Sequence, residues 1–386
     1  MYPKMQSNLG KKFHSLYSSI PSYYTAPGRI NLIGEHTDYN KGFVLPGAID
    51  KSISYALGLN DDKLFRFYSM DYEEYYEVKE ISKEDDHPHW AKFLLGVIAQ
   101  FRKEGIEING LDCVFGGNIP VGAGLSSSAA IECGLAYGLN KLLKTAFTKY
   151  ELAQMAQHAE HEYAGVMCGI MDQYASLFGK KGNVMKLDCR SHVHEYFPLN
   201  MDNYLIALCD TQVKHALADS EYNKRRIECE EGVRILKLKH PGVKSLRDAC
   251  LIMFNESEEL FDPIVLKRCT YVVEENQRVE DACDALRNGK FKAFGKLMYE
   301  SHHGLQHEYE VSCPELDTLV DITRSMDDVL GSRMMGGGFG GCTINLVKAS
   351  GIERFKEAIT KGYHDRFQKE PMIYLVKLTG GARELH

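Results

Sequence analysis

The chain has 386 residues, too many for one simple core and suited to two domains. Its 44% hydrophobic and 26% charged residues are those of an ordinary globular protein. A net charge of −7 argues against general nucleic-acid or anionic-membrane binding, so any site for a polyphosphate must gather its positive charge locally. The opening residues, MYPKMQSN, hold no apolar stretch of the signal-peptide kind, and no window approaches the roughly 18 apolar residues of a membrane span. Eleven cysteines stand singly, without a Cys-x-x-Cys spacing, which predicts reduced thiols and a cytoplasmic address. His158 with His161 and His192 with His194 lack the cysteines that would complete a zinc cage.

Residues 25–60 read as β-rich, with the apolar runs Ile30–Ile33 and Phe43–Leu45 flanking a polar turn, Gly34–Gly42. A helix is predicted from Ser128, with Ile131, Leu135, Leu139 and Leu142 on one face. Gly134 and Gly138 weaken it, which predicts close packing on one side. Thr148–Glu151 has the pattern of a capping box, and Leu152, Met155, Ala156, Ala159 and Tyr163 continue one apolar face. Glu160 stands about 80° round that helix from Leu152 at roughly 100° per residue, at the edge of the apolar face. A short helix is predicted near Met171 and a domain change around residues 185–205. Beyond it, Glu274–Leu286 and Leu316–Leu330 read as helices and Cys342–Val347 as a buried strand. The mixture is α+β.

Three segments carry chemistry. In Pro120–Ala130 (PVGAGLSSSAA), Gly122 and Gly124 let backbone approach a ligand, and three serines then open a helix. Helix starts offer unpaired N–H groups and partial positive charge, so the segment suits phosphate, and a serine hydroxyl there can ligand Mg²⁺. The Walker lysine is absent, and an ordinary glycine turn with serine caps would look the same. In Gly28–Gly42, Glu35, His36 and Asp38 crowd one turn, where carboxylates can read neighbouring hydroxyls; a solvated turn is the other reading. Gly336–Gly341 matches G-x-G-x-x-G, but a predicted helix before it and a strand after it reverse the order of a dinucleotide fold. A glycine loop packed against the first phosphate loop is predicted instead.

These segments, in this order, resemble the three signature motifs of the GHMP kinases. The run Gly28–Asn40 followed by Gly42–Pro46 resembles the galactokinase branch of that family. So do Cys168–Gln173 (CGIMDQ), Ser220–Arg226 (SEYNKRR), Tyr309–Asp317 (YEVSCPELD) and Gly331–Cys342 (GSRMMGGGFGGC). The likeness extends from Thr25 to Arg383. It implies an active site between two lobes, residues 1–195 with a ribosomal protein S5 domain 2-like fold and residues 196–386 with a ferredoxin-like fold.

The resemblance further implies transfer of the ATP γ-phosphate to the C1 hydroxyl of galactose, with Mg²⁺ as cofactor. Asp172 and Arg29 match the reaction centre, and Asp172 as general base or as orienting charge both remain open. Glu35, His36, Asp38, Gly169 and Tyr222 match sugar contacts. Gly122, Gly124, Leu125, Ser126 and Ser127 match the ATP loop, and Ser128 and Glu160 the metal ligands. Trp90 and Phe93 match positions near the adenine, with a core role as the alternative; the same alternative holds for Tyr222. Lys214 and Arg226 are candidates for positive charge near the phosphates. A monomer is expected, with neither nucleic acid nor membrane as partner. Two other readings stay in view. One is a kinase of N-acetylgalactosamine; the other is a non-catalytic sensor of galactose and ATP, against which the complete run Ser126–Ala130 and the presence of Asp172 stand.

Overall fold

The computed structural model describes residues 2–120, 122–199, 201, 203–213 and 218–385. A six-stranded sheet is built, from edge to edge, of Arg383–Leu385, Ser22–Asn31, Pro46–Leu59, Leu111–Gly117, Phe65–Ser69 and Glu74–Val78. Its pairs are antiparallel except Phe65–Ser69 with Leu111–Gly117. The helices His89–Lys103, Ser127–Leu142 and Lys149–Ala159 pack together beside it. Gly134 and Gly138 make that packing possible, because a Cβ there would lie 2.2 Å from the Tyr55 ring and 2.4 Å from Leu57. Both are close approaches of the predicted kind. The capping box at Thr148 and Glu151 is formed in both directions, and the short helix is Met171–Phe178.

A second, wholly antiparallel sheet runs Val329–Met334, Cys342–Lys348, Tyr204–Asp210, Met372–Val376. With the helices Pro314–Arg324 and Ile352–Phe367, these strands follow one another as β-α-β-β-α-β, the ferredoxin-like order. The long helices Ala218–Lys239, Pro263–Arg287 and Phe291–His307 are inserted after its first strand. A small third sheet joins Phe43–Val44, Asn183–Asp188 and His194–Pro198. The main core is continuous across the sheets: Ile30 and Leu32 belong to the same buried cluster as Met335, Cys342 and Leu346.

One prediction needs correcting. The helix expected over Leu316–Leu330 ends at Arg324, and Val329–Met334 is a strand. Met326 and Val329 continue the helical spacing by chance, across a turn closed by the Val329 N–H to the Met326 carbonyl at 3.0 Å. The glycine loop Gly336–Gly341 therefore joins two antiparallel strands, and no helix leads into it. Among the described residues no helix is long and apolar enough to cross a membrane. All eleven cysteines are free thiols.

Candidate active site

Glycines bring the three segments together. A Cβ on Gly28 would lie 2.5 Å from the Leu125 carbonyl, which itself accepts from the Arg29 N–H at 3.2 Å. On the other side the loop meets the second glycine loop: a Cβ on Gly336 would lie 3.4 Å from the Gly124 carbonyl, and one on Gly124 would lie 3.4 Å from the Met335 carbonyl. The loop of Gly122 and Gly124, both at positive φ, is thus clasped between the first strand and the second glycine loop. Ser126 adopts the left-handed conformation as well (φ 58°), an uncommon state for a serine and one that turns its side chain away from the helix it opens. A cleft of about 300 Å³ lies where these segments meet.

At its centre is Asp172. Arg29 grips both carboxylate oxygens, Nε to Oδ1 at 2.8 Å and Nη2 to Oδ2 at 3.0 Å, and its Nη1 donates to the Gly124 carbonyl at 2.5 Å. The Ser126 hydroxyl also donates to Asp172 Oδ2, at 2.5 Å. A carboxylate has about four acceptor sites, so these three bonds leave about one for a ligand. Arg29 is buried, while 24% of the Asp172 side chain is exposed, so the carboxylate is the group presented to the cleft. Burial alone would lower the Arg29 pKa, but Asp172, Glu35 and Asp38 outweigh it and raise it.

Glu35, His36, Asp38, Gly169 and Tyr222 line the same cleft. Asp38 is buried, and burial together with the Asp172 charge raises its pKa to about 7. Gly169 gives it room, since a Cβ there would lie 2.0 Å from Asp38 Oδ2. Burial, with Arg225 and Arg333 nearby, lowers the His36 pKa to about 3. The ring is therefore neutral. Its Nε2 faces the Gly337 carbonyl at 3.2 Å and must carry the proton, so Nδ1 accepts from the Tyr39 hydroxyl at 2.8 Å. Tyr39 in turn takes its hydrogen bond from Tyr309, at 2.7 Å. Tyr222 packs beside the His36 ring, 5.3 Å between centroids.

Glu160 also lines the cleft. The helix Lys149–Ala159 widens into a π turn over Glu160–Ala164, a distortion that often marks functional sites and here helps set where Glu160 points. Its carboxylate accepts from Gln173 Nε2 at 2.7 Å and is a hydrogen-bond partner of Ser128. Burial and the Asp172 charge raise its pKa to about 7. Neighbouring Glu132 has no exposed surface, and its carboxyl group meets Gln173 and Glu160. Burial, then the Glu160 charge, pushes its pKa well up.

Other expected residues stand back from the cleft wall. Leu125 is buried beneath the loop, and Ser127 and Ser128 form the first turn of their helix. Trp90 lies in the core against Phe115, its indole N–H donating to Glu74 at 2.7 Å, and Phe93 is buried on the next turn of the same helix. Arg226 pairs with Glu230 and donates to the Met167 carbonyl. Lys214 lies outside the described residues.

Sequence reasoning missed Arg333. It is fully buried and donates to the carbonyls of Asn31, Leu32 and Met334 and to Glu35 Oε1. Glu35 Oε1 also accepts from the Gly336 N–H at 2.8 Å, so this pair ties the acidic turn to the glycine loop. A lone arginine on an apolar strand carries no spacing signal; its partners come from the far end of the chain.

Three segments match known family signatures: residues 92–180 the GHMP kinases N terminal domain, residues 282–365 the GHMP kinases C terminal domain, and residues 11–59 the galactokinase galactose-binding signature. Fold and cleft together define a GHMP kinase. The chain is 41% identical to a galactokinase of Thermotoga neapolitana over 93% of its length and 99% of the relative's. It is 40% identical to a galactokinase of Clostridium acetobutylicum over 98% of each. The crystal structure of Lactococcus lactis galactokinase complexed with galactose superposes with a TM-score of 0.94 at 33% identity, covering 99% of this chain and 100% of that one. The Methanococcus jannaschii mevalonate kinase shares the fold, with a TM-score of 0.65 at 16% identity over 94% of this chain and 100% of that one. The chain belongs to the galactokinase family.

Proposed function

We propose that the chain transfers the γ-phosphoryl group of ATP to the C1 hydroxyl of D-galactose, giving galactose 1-phosphate and ADP. The observation that carries this reading is the single cleft in which Asp172, clamped by Arg29 and Ser126, stands between a glycine-rich loop and an acidic turn. The galactose-bound Lactococcus lactis relative supports the choice of sugar.

Phosphoryl transfer depends chiefly on positioning and electrostatics. The remaining acceptor site of Asp172 takes the hydrogen bond of the C1 hydroxyl and aims its oxygen at the γ-phosphorus. That proton passes to Asp172 as the new oxygen–phosphorus bond forms and the bond from the γ-phosphorus to the bridging oxygen breaks, the oxygen leaving with ADP. The Arg29 charge lies beside the negative charge that builds on the transferring group. The glycine loop and the N-terminus of Ser127–Leu142 hold the nucleotide phosphates. Glu35, Asp38, His36 and Tyr222 read the sugar hydroxyls, with Gly169 leaving room for them.

Ser128 and Glu160 would hold Mg²⁺. Both offer hard oxygen donors, and the Glu160 and Glu132 carboxyls stand in hydrogen-bond contact there, a crowding of acid groups that a cation relieves. When bound, the ion neutralises phosphate charge. We also infer two lobes, 1–195 and 196–386, with the last strand returning to the first sheet, and a cytoplasmic monomer, a setting that suits eleven free thiols.

A coupled ADP-release assay with galactose, N-acetylgalactosamine, glucose, arabinose and mevalonate tests the reading. Turnover is expected to be fastest on galactose; strong turnover only on another substrate overturns it.

A further inference from the structure

One helix holds both ends of the acidic turn. Glu275 accepts from the Gly34 N–H at 2.8 Å, and Asn276 accepts from the Phe43 N–H at 2.8 Å. Asn276 and Phe43 are also walls of a second cavity, about 780 Å³, whose lining shares no residue with the catalytic cleft. Segment Leu246–Leu251 supplies most of the rest, apart from the helix itself.

The charges in this wall are mostly committed. Glu280 is paired with Lys186, and Glu274 with Arg278. Arg247 is different. Its guanidinium lies 3.6 Å from the centroid of the Phe43 ring, and among the described residues its buried Nε–H has no acceptor and no carboxylate forms an ion pair with it. A cation partly stripped of water and left without a counter-charge favours an incoming anion. Phe43, Leu246, Leu251 and Val273 offer apolar surface beside it. The volume lies within the roughly 300–1,000 Å³ of small-molecule sites.

We propose that this cavity binds a small organic anion, an apolar body bearing a carboxylate or phosphate, and that occupancy alters the grip of the acidic turn on the sugar. The coupling half rests on the reading of that turn as the sugar reader. A ligand on Arg247 bears on Phe43, and one on the helix bears on Asn276. Little slack separates them from the turn: a Cβ on Gly42 would lie 2.2 Å from Asn276 Oδ1. Coupling of this kind is reciprocal.

The test is calorimetry on the full chain saturated with MgADP, which fills the phosphate loop, using phenyl phosphate, benzoate and neutral benzyl alcohol as probes. Each anion is expected to bind one further site, with benzyl alcohol at least about tenfold weaker. Arg247→Gln should weaken both anions by about tenfold or more and leave galactose turnover without probe unchanged. Cys250 is exposed and lines the cavity. Iodoacetamide should therefore abolish anion binding in the parent chain and spare it in Cys250→Ala. Saturating phenyl phosphate should shift the galactose Kd about fivefold or more, and galactose should shift the phenyl phosphate Kd by the same factor. No anion binding, equal binding by benzyl alcohol, or binding indifferent to both Arg247→Gln and Cys250 alkylation overturns the site; unchanged galactose affinity overturns the coupling. Failure to phosphorylate galactose would sink the functional reading and leave the anion titration intact as a separate result.

Discussion

Arg333 and Glu35, 298 residues apart, form an ion pair at 2.9 Å in which neither side chain meets solvent to any extent. The pair joins the strand before the glycine loop to the acidic turn. Glu35 Oε1 is shared between the Arg333 guanidinium and the Gly336 N–H, so the carboxylate shapes the loop as well as the turn. Removing one partner of such a pair strands the other charge, at a cost of about 3–5 kcal/mol. Arg333→Met is expected to lose stability on that scale in urea unfolding and to raise the galactose KM in whatever fraction still folds. Glu35→Gln keeps an oxygen for Gly336 and should lose less stability than Arg333→Met. Equal stability of Arg333→Met and the parent would mean that the pair adds nothing to holding the loops together.

Asp172 and Ser126 separate chemistry from positioning. Asp172→Asn keeps the shape of the side chain but loses the charge that receives or orients the sugar proton. Its kcat should fall by about 10²–10⁴-fold, the usual worth of a general acid–base group, with galactose still bound in calorimetry. Ser126→Ala removes one of three bonds to the carboxylate. It should lower kcat by a smaller factor and leave the galactose KM nearly unchanged. Near-normal turnover by Asp172→Asn would remove the residue from the reaction centre.

Much of this site was legible in the sequence, because local chemistry announces itself locally. Gly122, Gly124 and the serine run preceded a helix, and the crowding of Glu35, His36 and Asp38 in one turn marked a polar pocket. The packing glycines 134 and 138 could be read because glycine in a helix interior is costly. Four features were not legible. Arg333 takes its partners from residues 31–35, so its role exists only after folding. The strand Val329–Met334 was hidden by apolar residues that kept helical spacing across a turn. The π turn at Glu160 changes the angular position of that residue without any change in composition. Ser126 lies in the loop expected to hold the nucleotide, and its hydroxyl donates to Asp172, 46 residues away, a partner that no local pattern announces.

Asp38 and His36 give opposite dependences of stability on pH. The Asp38 pKa is raised from 3.8 to about 7, so between these values the folded state holds the extra proton; this contribution is full below 3.8 and is lost as pH rises towards 7. The His36 pKa is lowered from 6.5 to about 3, so the unfolded state holds the extra proton; this contribution is full above 6.5 and is lost as pH falls towards 3. Over pH 4–6.5 the two offset one another. Asp38→Asn removes only the first. It should be more stable than the parent at pH 8, by up to about 1.4 kcal/mol for each pKa unit relieved. That advantage should vanish as pH falls to 4. Galactose binding should weaken most above pH 7, where the neutral amide replaces an ionised carboxylate. Parallel stability–pH curves for the variant and the parent would show that Asp38 does not titrate in this window.

Gly169 separates the proposed sugar contacts from the stability of the fold. A Cβ there would lie 2.0 Å from Asp38 Oδ2 and 2.2 Å from its Cγ, too close for either atom to stay in place. Gly169 is not among the glycines at positive φ, so alanine meets no backbone objection and the clash falls on the Asp38 side chain alone. Overpacking of this sort costs about 1–3 kcal/mol, which a chain of this size can absorb. Gly169→Ala should therefore fold, bind ATP with an unchanged KM, and show a galactose KM raised by about tenfold or more, the shift that about 1.4 kcal/mol of lost binding produces. Shortening the neighbour to make room, in Gly169→Ala with Asp38→Ala, should recover the stability and leave galactose unbound. Recovery of galactose affinity in that double variant would show that Asp38 fills the pocket wall without contacting the sugar.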